Sequence, residues 1–321
     1  MTTHPPSRNV GVLRAAVYSA DGRSSTWQQA LLAHVPDLEA ELWPEIARPG
    51  EVDIAVAWHP PPGMLAALSG LRAVFSLGAG VDHIMALPDL PPDLPVIRLE
   101  DAGMAEQMVE YVLYGVLHFH RDFDRYQTER SAALWQPRPV RRRNETRIGV
   151  LGLGALGAAV AGALSGFGFP VVGWSRKPRR LDAIETAAGR AGLKAVAARS
   201  DILVVLLPLT GSTRGLLNRR VFDRMPPGAA LINCARGELL VEEDLLAALD
   251  SDQLRGAVLD VARQEPPPPE HRFWYHSGIV LTPHIAAATR IEEACDQIAE
   301  NLARLRSGRP LLHQVERARG Y

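Results

Sequence analysis

Short apolar runs alternate along the chain with stretches of helical periodicity. This alternation is typical of α/β proteins, in which helices connect parallel strands. Before residue 100 it predicts a small parallel sheet. Strands are expected at 13–18, 53–57, 72–76 and 94–99, and helices at 25–34 and 64–68.

The alternation resumes near residue 147 and predicts a second, larger sheet. Its six expected strands match the number in a complete dinucleotide-binding sheet, where ligands lie beyond the carboxyl ends of the strands. Apolar residues at helical spacing after residue 290 predict a C-terminal helix. The six strands are expected at 147–151, 170–174, 201–207, 229–233, 256–260 and 278–282.

Residues 101–130, between the two sheets, contain no proline and carry apolar residues at helical spacing. One long helix linking two domains is therefore predicted. Its apolar positions exceed a single face, which leaves two interpretations open: contact with a second subunit, or burial within one chain. Trp135 has two interpretations as well, because it could reach a pocket, in the other subunit for example, or pack in a core or an interface.

A glycine motif lies at the start of the second sheet. Its glycines follow the first strand and precede an alanine-rich helix expected at 158–167. The first two glycines permit a tight turn and close approach of backbone N–H groups to a pyrophosphate, and the third lets the helix pack on the strand. A purely structural turn is the alternative, but the βαβ spacing favours a dinucleotide site. The contacts are expected at Gly152, Gly154, Ala155, Leu156 and Gly157.

The second strand of this unit ends at Trp174 and is followed by Ser175, Arg176 and Lys177. NAD sites usually place Asp or Glu about 20 residues after the glycines, to accept hydrogen bonds from the ribose 2′-hydroxyl. A carboxylate repels a 2′-phosphate, whereas a hydroxyl and two cations can bind it. The sequence therefore favours NADPH over NADH. A solvated basic turn is the alternative interpretation, which the further arginines that follow support.

Length and charge narrow the function classes. A chain of 321 residues suffices for two domains, and a net charge of −1 gives no global reason to expect nucleic acid or membrane as a partner. Residues 141–143 form a local basic run that is interpreted as a solvated linker. Cys234 and Cys295 lack zinc-ligand spacing, so no metal site is predicted and a reducing cytoplasm is expected. Residues 1–6 lack a secretory pattern, and the apolar stretch at 202–209 is too short to span a bilayer.

Three strand ends of the second sheet carry ionisable residues, Arg236, Glu265 and His284. Carboxyl ends of parallel strands meet at one edge, where the nicotinamide would lie. Arg236 is a planar cation suited to carboxylate and carbonyl oxygens, and His284 can give a proton to a carbonyl oxygen as hydride reaches the adjacent carbon. Glu265 would orient the imidazole and favour its protonated form. Each residue alone also fits a structural role, but together they indicate reduction of a small 2-oxo acid.

Several motifs resemble those of the D-2-hydroxyacid dehydrogenases, over essentially the whole chain. They are the glycine motif at 152–157, Asn233-Cys-Ala-Arg-Gly237, Leu259-Asp-Val261 with Glu265-Pro266, and Thr282-Pro-His284-Ile285. Further stretches are similar to the glyoxylate/hydroxypyruvate reductase A branch of that family: 58–61, 77–82, 98–101, 135–137 and 317–321.

The resemblance implies the fold and the site. It implies an α/β protein with a Rossmann-type doubly wound cofactor domain, 103–287, inserted in a smaller flavodoxin-like substrate-binding domain, 1–102 and 288–321. It further implies Arg236, Glu265 and His284 as the catalytic set, NADPH as the preferred reductant, and active sites between the domains. With the apolar long helix, it also implies a homodimer formed through residues 101–130. Ser175 agrees with the NADPH-using branch. Glu265 stands where the related formate dehydrogenases have Gln, which argues against formate.

The resemblance also implies binding residues. The substrate carboxylate would be held opposite Arg236 by backbone N–H groups of the loop Leu77, Gly78, Ala79 and Gly80. The Trp58 side chain would form one wall of the substrate pocket. Successive glycine-rich N–H groups can indeed form an anion-binding concavity, although a plain turn has the same sequence pattern. Cys234 is assigned a packing role. Besides Arg236 and His284, the remaining cofactor contacts are implied at Leu207, Pro208, Thr213, Cys234, Ala235, Asp260 and Ala286.

The function expected from the sequence is NADPH-dependent reduction of glyoxylate to glycolate and of hydroxypyruvate to D-glycerate. Two alternatives stay open. One is a dehydrogenase for another short acid, such as lactate or phosphoglycerate. The other is a cofactor-sensing binding protein, because a transcriptional co-repressor shares this fold.

Overall fold

The structure, a computed structural model, describes residues 11–321, which divide into two compact units. The first contains the described residues up to Ala102 together with Thr289–Tyr321, and the second is Gly103–Ala288. The chain returns to the first unit after Ala288, one residue beyond the boundary expected at 287/288. The expectation for a secretory signal concerns residues 1–6, which lie outside the described part.

The first unit is built on a five-stranded parallel sheet with the order β2-β1-β3-β4-β5. This is the flavodoxin-like order, as predicted. Helices α1 and α10 of the same unit pack against each other. The elements are β1 Leu13–Ser19, α1 Ser24–His34, β2 Leu38–Leu42, β3 Ile54–Trp58, α2 Met64–Ala67, β4 Ala73–Ser76, α3 Asp82–Met85, β5 Val96–Ile97 and α10 Ile291–Arg306.

The second unit is built on a seven-stranded sheet with the order β12-β11-β10-β9-β6-β7-β8. Counted within the unit, the first six strands follow the Rossmann order 3-2-1-4-5-6 and the last extends it by one. The elements are α4 Met104–His120, α5 Phe123–Ser131, β6 Ile148–Leu151, α6 Ala155–Gly166, β7 Val171–Ser175, β8 Glu185–Ala188, α7 Gly189–Ala198, β9 Ile202–Val205, α8 Arg219–Phe222, β10 Ala229–Asn233, α9 Glu242–Asp250, β11 Leu254–Leu259 and β12 Ile279–Leu281.

The prediction of six strands in this sheet was wrong by one, because β8 was not recognised. Its sequence, Glu-Thr-Ala-Ala, contains no large apolar residue, and the strand is exposed or half-buried along its length. β8 lies at the edge of the sheet and pairs only with β7 among the strands of the structure. An edge strand of this kind lacks the continuous apolar run that marks a buried parallel strand.

Apolar side chains cover both faces of the larger sheet. β9 divides its four residues between the two faces: Ile202 and Val204 join the cluster that contains α4 and α6, while Leu203 and Val205 join the cluster on the opposite face. Alternation with a period of two, combined with burial on both sides, explains why the strand consists only of apolar residues. The arrangement is that of a doubly wound fold, as predicted.

The single long helix predicted over 101–130 is two helices. α4 has 17 residues and ends before Asp122, whose backbone is left-handed with φ of 58°, and α5 then begins at Phe123. The Asp122 carboxylate accepts a hydrogen bond from Arg255 at 2.9 Å and another from Arg141, so contacts distant in sequence fix the break. Within residues 11–321, no helix is both long and apolar enough to cross a membrane.

Candidate active site

The glycine motif forms the turn between β6 and α6. Gly152 has φ of +101°, which side-chain-bearing residues rarely adopt, and a Cβ on Gly157 would lie 1.8 Å from the Gly152 carbonyl oxygen. Gly154 instead borders open space, where an added Cβ would meet nothing within 4 Å. Ala155 and Leu156, half-buried, begin α6. The turn thus leaves backbone N–H groups at a helix start accessible, which fits a pyrophosphate.

The basic turn after β7 is held by hydrogen bonds within the protein. Ser175 Oγ donates to the Lys177 carbonyl at 2.7 Å, and Thr186 Oγ1, on β8, donates to the Arg179 carbonyl at 2.6 Å. The hydroxyl proton of Ser175 is therefore engaged in shaping the turn. Arg176 and Lys177 are exposed and supply the positive charge. Trp174, by contrast, is buried, and its indole N–H donates to Gly189 at 2.8 Å.

The segment after β9 contains three of the predicted cofactor contacts. Leu207 is buried, and Pro208 is half-buried beside it. Thr213 Oγ1 donates to the Pro208 carbonyl at 2.7 Å and accepts the Thr210 N–H at 2.8 Å. These bonds close the segment into a compact turn at the same sheet edge as the glycine motif, because β9 pairs in parallel with β6.

His284 and Glu265 form a hydrogen-bonded pair. Glu265 follows β11 and His284 follows β12, two strands that pair in parallel. His284 Nδ1 lies 2.7 Å from Glu265 Oε2, and each side chain is 38 % exposed. A carboxylate can only accept, so Nδ1–H donates to it. Nε2, on the opposite side of the ring, is then the nitrogen that can exchange a proton with a substrate.

The environment of Glu265 favours its charged form. Burial alone raises the pKa of Glu265, but the hydrogen bond and charge of His284, the N–H of Ala262 and the positive charge of Arg236 outweigh burial and lower it. Ala262 N–H donates to the other carboxylate oxygen at 3.1 Å. Glu265 is therefore a fixed negative charge beside the imidazole.

The turn after β10 presents Arg236. Asn233, fully buried, binds both sides of this turn: its Nδ2 donates to the Arg236 carbonyl at 3.2 Å, and its Oδ1 accepts the Ala235 N–H at 3.2 Å. A Cβ on Gly237 would lie 2.0 Å from the backbone of Ala262. Only glycine at 237 allows the Arg236 turn to approach the segment that carries Glu265.

Asp260, predicted as a cofactor contact, binds the turn that carries His284. Its carboxylate accepts the N–H groups of Ile285 and Ala286, each at 2.8 Å, and the Thr282 hydroxyl at 2.7 Å. Ala286 and Cys234, also predicted as cofactor contacts, are buried nearby. Burial raises the pKa of the Cys234 thiol, with the charge of Asp260 adding to the effect, so the thiol stays protonated and unreactive at neutral pH.

In the first unit, the predicted carboxylate loop packs on Trp58. Trp58 ends β3, and the loop of Leu77, Gly78, Ala79 and Gly80 follows β4. A Cβ on Gly78 would lie 2.7 Å from the Trp58 ring, so the glycine lets the ring cover the backbone. Gly78 N–H donates to Ser76 Oγ at 3.3 Å. Within residues 11–321, the N–H groups of Ala79 and Gly80 have no protein acceptor, which fits an anion site.

Three residues with evident roles at these turns were not predicted as site residues. Asn233 and Thr282 lie inside the motifs that carried the resemblance, and a polar residue at the end of a predicted strand was an available signal. Tyr111 on α4 has its hydroxyl 2.6 Å from Thr282 Oγ1. Nothing in the helical pattern around Tyr111 distinguishes it from a core tyrosine.

Comparison with known proteins identifies the family. Residues 113–286 match the sequence profile of the NAD-binding domain of D-isomer specific 2-hydroxyacid dehydrogenases. The chain belongs to this family. A D-isomer specific 2-hydroxyacid dehydrogenase from Xanthobacter autotrophicus, in complex with NADPH and MES, is 40% identical over 97% of this chain and 100% of its own, with a TM-score of 0.92.

Two further 2-hydroxyacid dehydrogenase structures are similar over nearly the whole chain. An NADPH-dependent glyoxylate/hydroxypyruvate reductase from Sinorhizobium meliloti, in complex with NADP and sulfate, is 35% identical over 96% of this chain and 100% of its own, with a TM-score of 0.88. A probable 2-hydroxyacid dehydrogenase from Rhizobium etli, in complex with NADP, is 29% identical over 97% and 100%, with a TM-score of 0.87.

As a 2-hydroxyacid dehydrogenase, this protein is a nicotinamide-dependent oxidoreductase that acts on CH–OH groups. The two-domain α/β fold inferred from the sequence is confirmed. The glycine turn and the adjoining strand ends lie in the segment that the NAD-binding profile covers.

Proposed function

We propose that this 2-hydroxyacid dehydrogenase reduces short 2-oxo acids, glyoxylate to glycolate and hydroxypyruvate to D-glycerate, with NADPH as the preferred reductant. The observation that carries the proposal is the His284 Nδ1 to Glu265 Oε2 contact of 2.7 Å at the edge where Arg236 also lies. Reduction of a 2-oxo acid requires a proton donor for the carbonyl oxygen and a cation for the charged oxygens. His284, held by Glu265, can be that donor, and the Arg236 guanidinium can be that cation.

His284 is the proton donor in this proposal. Glu265 accepts from Nδ1–H, which fixes the ring orientation and places a negative charge beside the ring. The Nε2 proton then passes to the carbonyl oxygen, which becomes the hydroxyl of the product. When bound, the nicotinamide cofactor supplies the hydride that the carbonyl carbon receives.

Arg236 holds the substrate and polarises it. Its guanidinium carries a permanent charge and can donate two parallel hydrogen bonds, to a carboxylate oxygen and to the carbonyl oxygen. The buried Asn233 fixes the backbone on both sides of this arginine. The backbone that carries the guanidinium is therefore fixed, and Nη1 itself donates to the Ala235 carbonyl at 2.7 Å. The charge of the guanidinium stabilises the negative charge that develops on the carbonyl oxygen.

Two features support short substrates. The Trp58 ring lies so close to Gly78 that even a methyl group there would collide with it, at 2.7 Å. A bulky ring against the carboxylate loop restricts the room for a substrate side chain. The similar Sinorhizobium meliloti protein is itself a glyoxylate/hydroxypyruvate reductase.

The preference for NADPH rests on the basic turn after β7. Ser175 stands where a carboxylate would repel a 2′-phosphate, and the exposed Arg176 and Lys177 can bind one. Hydrogen bonds from Ser175 and Thr186 to the turn's carbonyls hold its backbone in place. The similar structures from three bacterial species contain NADPH or NADP.

Steady-state kinetics with both acids and both cofactors test the proposal. We expect kcat/KM for NADPH to exceed that for NADH, and the double variant Arg176→Ala/Lys177→Ala to lose most of this difference. Each lost charge-assisted contact is worth about 1.5–3 kcal/mol, so KM for NADPH should rise about 10- to 100-fold per contact. KM for NADH should stay near the wild-type value.

Lys194→Ala is the matched control, because Lys194 is an exposed cation on α7 of the same unit. It should leave both KM values unchanged. A wild-type preference for NADH, or equal losses with both cofactors in the double variant, would contradict the assignment of the basic turn. Turnover of neither acid would contradict the proposed reaction.

We further propose that the protein is a homodimer, and we place the interface on an exposed apolar segment, defined by Phe123, Leu134, Trp135 and Val140. Their exposed fractions are 49%, 53%, 96% and 76%. Trp135 is thus not a core residue, and several large apolar side chains exposed along one segment are typical of an interaction surface. α4, by contrast, buries Val112 and Val116 against its own sheet. A second copy of the chain is the partner that a symmetric oligomer requires.

Sedimentation equilibrium tests the dimer. We expect the wild-type protein to sediment with twice the chain mass, and Trp135→Glu/Val140→Asp to shift the equilibrium toward the monomer at micromolar concentration. Leu32→Asp, a charge placed at an exposed leucine of α1 outside the exposed apolar segment, should leave the mass unchanged. A monomeric wild-type protein would contradict the proposal.

A further inference from the structure

Two hydroxyl groups connect helix α4 to the turn that carries His284. The Tyr111 hydroxyl lies 2.6 Å from Thr282 Oγ1, and Thr282 Oγ1 donates to Asp260 Oδ1 at 2.7 Å. Each hydroxyl has a single proton to donate. Because Thr282 uses its proton on Asp260, Tyr111 is the donor to Thr282. The two hydrogen bonds therefore form a chain in which Tyr111 donates to Thr282 and Thr282 donates to Asp260.

Asp260 also binds the backbone around His284. Its carboxylate is part of a residue only 2% exposed and accepts the N–H groups of Ile285 and Ala286, each at 2.8 Å. Its carbonyl accepts the His284 N–H at 2.9 Å. Hydrogen bonds to a buried carboxylate are stronger than neutral ones, and a donor that loses this acceptor stays unpaired. Asp260 therefore fixes the turn on both sides of His284.

The backbone at His284 depends on such support. His284 has φ of 55°, a left-handed conformation that residues other than glycine seldom adopt. A residue stays in this region only where its surroundings enforce it. Relaxation of the turn would move the imidazole relative to Glu265, its partner at 2.7 Å. Misplacement of a catalytic group by about 1 Å can cost about 100-fold in rate.

Tyr111 suits the outer end of this chain. It is half-buried on α4, which packs on the strands β9 and β10 of the same sheet. Burial raises the pKa of Tyr111 above its ordinary value, with the nearby charge of Asp260 adding to the effect and the hydrogen bond to Thr282 opposing it. The hydroxyl therefore remains a donor through the neutral and mildly alkaline range.

We infer that Tyr111 is a positioning residue for the reduction, and that it acts through Thr282 and Asp260 to hold the turn that presents His284 to the substrate. The inference rests on the proposed function, in which His284 donates the proton. It assigns to α4 a role in the chemistry besides packing, because the hydroxyl of one of its residues supports the acid.

The test compares hydroxyl deletions at the two ends of the Tyr111 to Thr282 bond. We expect Tyr111→Phe and Thr282→Val each to lower kcat about tenfold while KM for NADPH and for glyoxylate stay within about twofold. Thr282→Ser, which keeps the hydroxyl, should retain wild-type kcat. The kcat of the double variant Tyr111→Phe/Thr282→Val should be no lower than that of the more affected single variant, because both changes break the same series of hydrogen bonds.

Tyr114→Phe is the matched control, since Tyr114 lies one turn further along α4 and is 50% exposed. It should keep wild-type kcat. Unchanged kcat in Tyr111→Phe, or additive losses in the double variant, would overturn the inference while leaving the proposed function intact. A fall in melting temperature with unchanged kcat would assign Tyr111 a structural role only.

A second readout is independent of turnover. The imidazole NMR signals of His284, assigned by their loss in His284→Ala, should shift in Tyr111→Phe and stay in place in Tyr114→Phe. If the wild-type protein reduces neither acid, the proposed function fails, yet these shifts still report whether Tyr111 positions His284. Unshifted signals in Tyr111→Phe would overturn the inference in either case.

Discussion

We expect His284→Ala to lower kcat for glyoxylate reduction by about 10²- to 10⁴-fold, the range that a positioned general acid contributes. Alanine removes the Nε2 proton that the carbonyl oxygen needs and leaves Glu265 without its partner at 2.7 Å. The glycine turn is not altered, so the dissociation constant of NADPH, measured by fluorescence titration, should stay within about twofold. His34→Ala, at an exposed helix end in the other unit, serves as the control and should keep wild-type turnover. Wild-type turnover in His284→Ala would contradict the assignment.

Glu265→Gln refines this test, because it keeps a hydrogen-bond acceptor and removes the charge. Despite burial, the hydrogen bond and charge of His284 hold the pKa of Glu265 below its ordinary value, so the carboxylate is charged at neutral pH. Glutamine can still hold the ring, but it no longer places a negative charge beside the imidazole that donates the proton. We therefore expect kcat for glyoxylate reduction to fall about tenfold or more at neutral pH, while KM for NADPH stays within about twofold. Glu270→Gln, which changes an exposed acid on the same loop, should keep wild-type kcat.

The buried elements of the fold could be predicted from local sequence. β9 and β10 are buried along their whole length, so their sequences are apolar apart from Asn233 at the end of β10, and such runs indicate parallel strands. The two strands that escaped prediction, β2 and β8, lie at the edges of their sheets. β2 reads Leu-Glu-Ala-Glu-Leu and β8 reads Glu-Thr-Ala-Ala, because an edge strand has a neighbour on one side and retains polar residues.

The break between α4 and α5 depends on contacts that a local pattern does not contain. Residues 118–130 contain no proline that would mark the end of a helix, yet Asp122 leaves the helix to bind Arg141 and Arg255. These partners lie 19 and 133 residues further along the chain. Helical periodicity measures which face is buried and is insensitive to a single residue whose carboxylate has distant partners.

The candidate site likewise contains some residues that the local sequence indicates and others whose contacts lie far away in the chain. Arg236, Glu265 and His284 could be placed together from sequence, because each follows a strand and parallel strands end at one edge. Tyr111 could not, since its hydroxyl meets Thr282 across 171 residues of chain, and its neighbours on α4 show only a core pattern. The role expected of the Ser175 hydroxyl changed for a related reason: its proton is engaged by the Lys177 carbonyl, a contact that depends on how the turn folds.

Arg236→Ala should lower kcat/KM for glyoxylate by about 10²- to 10⁴-fold, because two hydrogen bonds to charged groups, worth about 1.5–3 kcal/mol each, are lost from the transition state. Arg236→Lys keeps the charge but not the fork of two parallel donors, so we expect it to recover only part of the loss. Added guanidinium should restore activity to Arg236→Ala in a concentration-dependent way, because the turn fixed by Asn233 leaves the vacated space intact. Arg263→Ala, an exposed cation at the same sheet edge, is the control and should retain wild-type kinetics. If Arg236→Ala kept kcat/KM within about threefold of wild type, a different group would have to bind the substrate carboxylate.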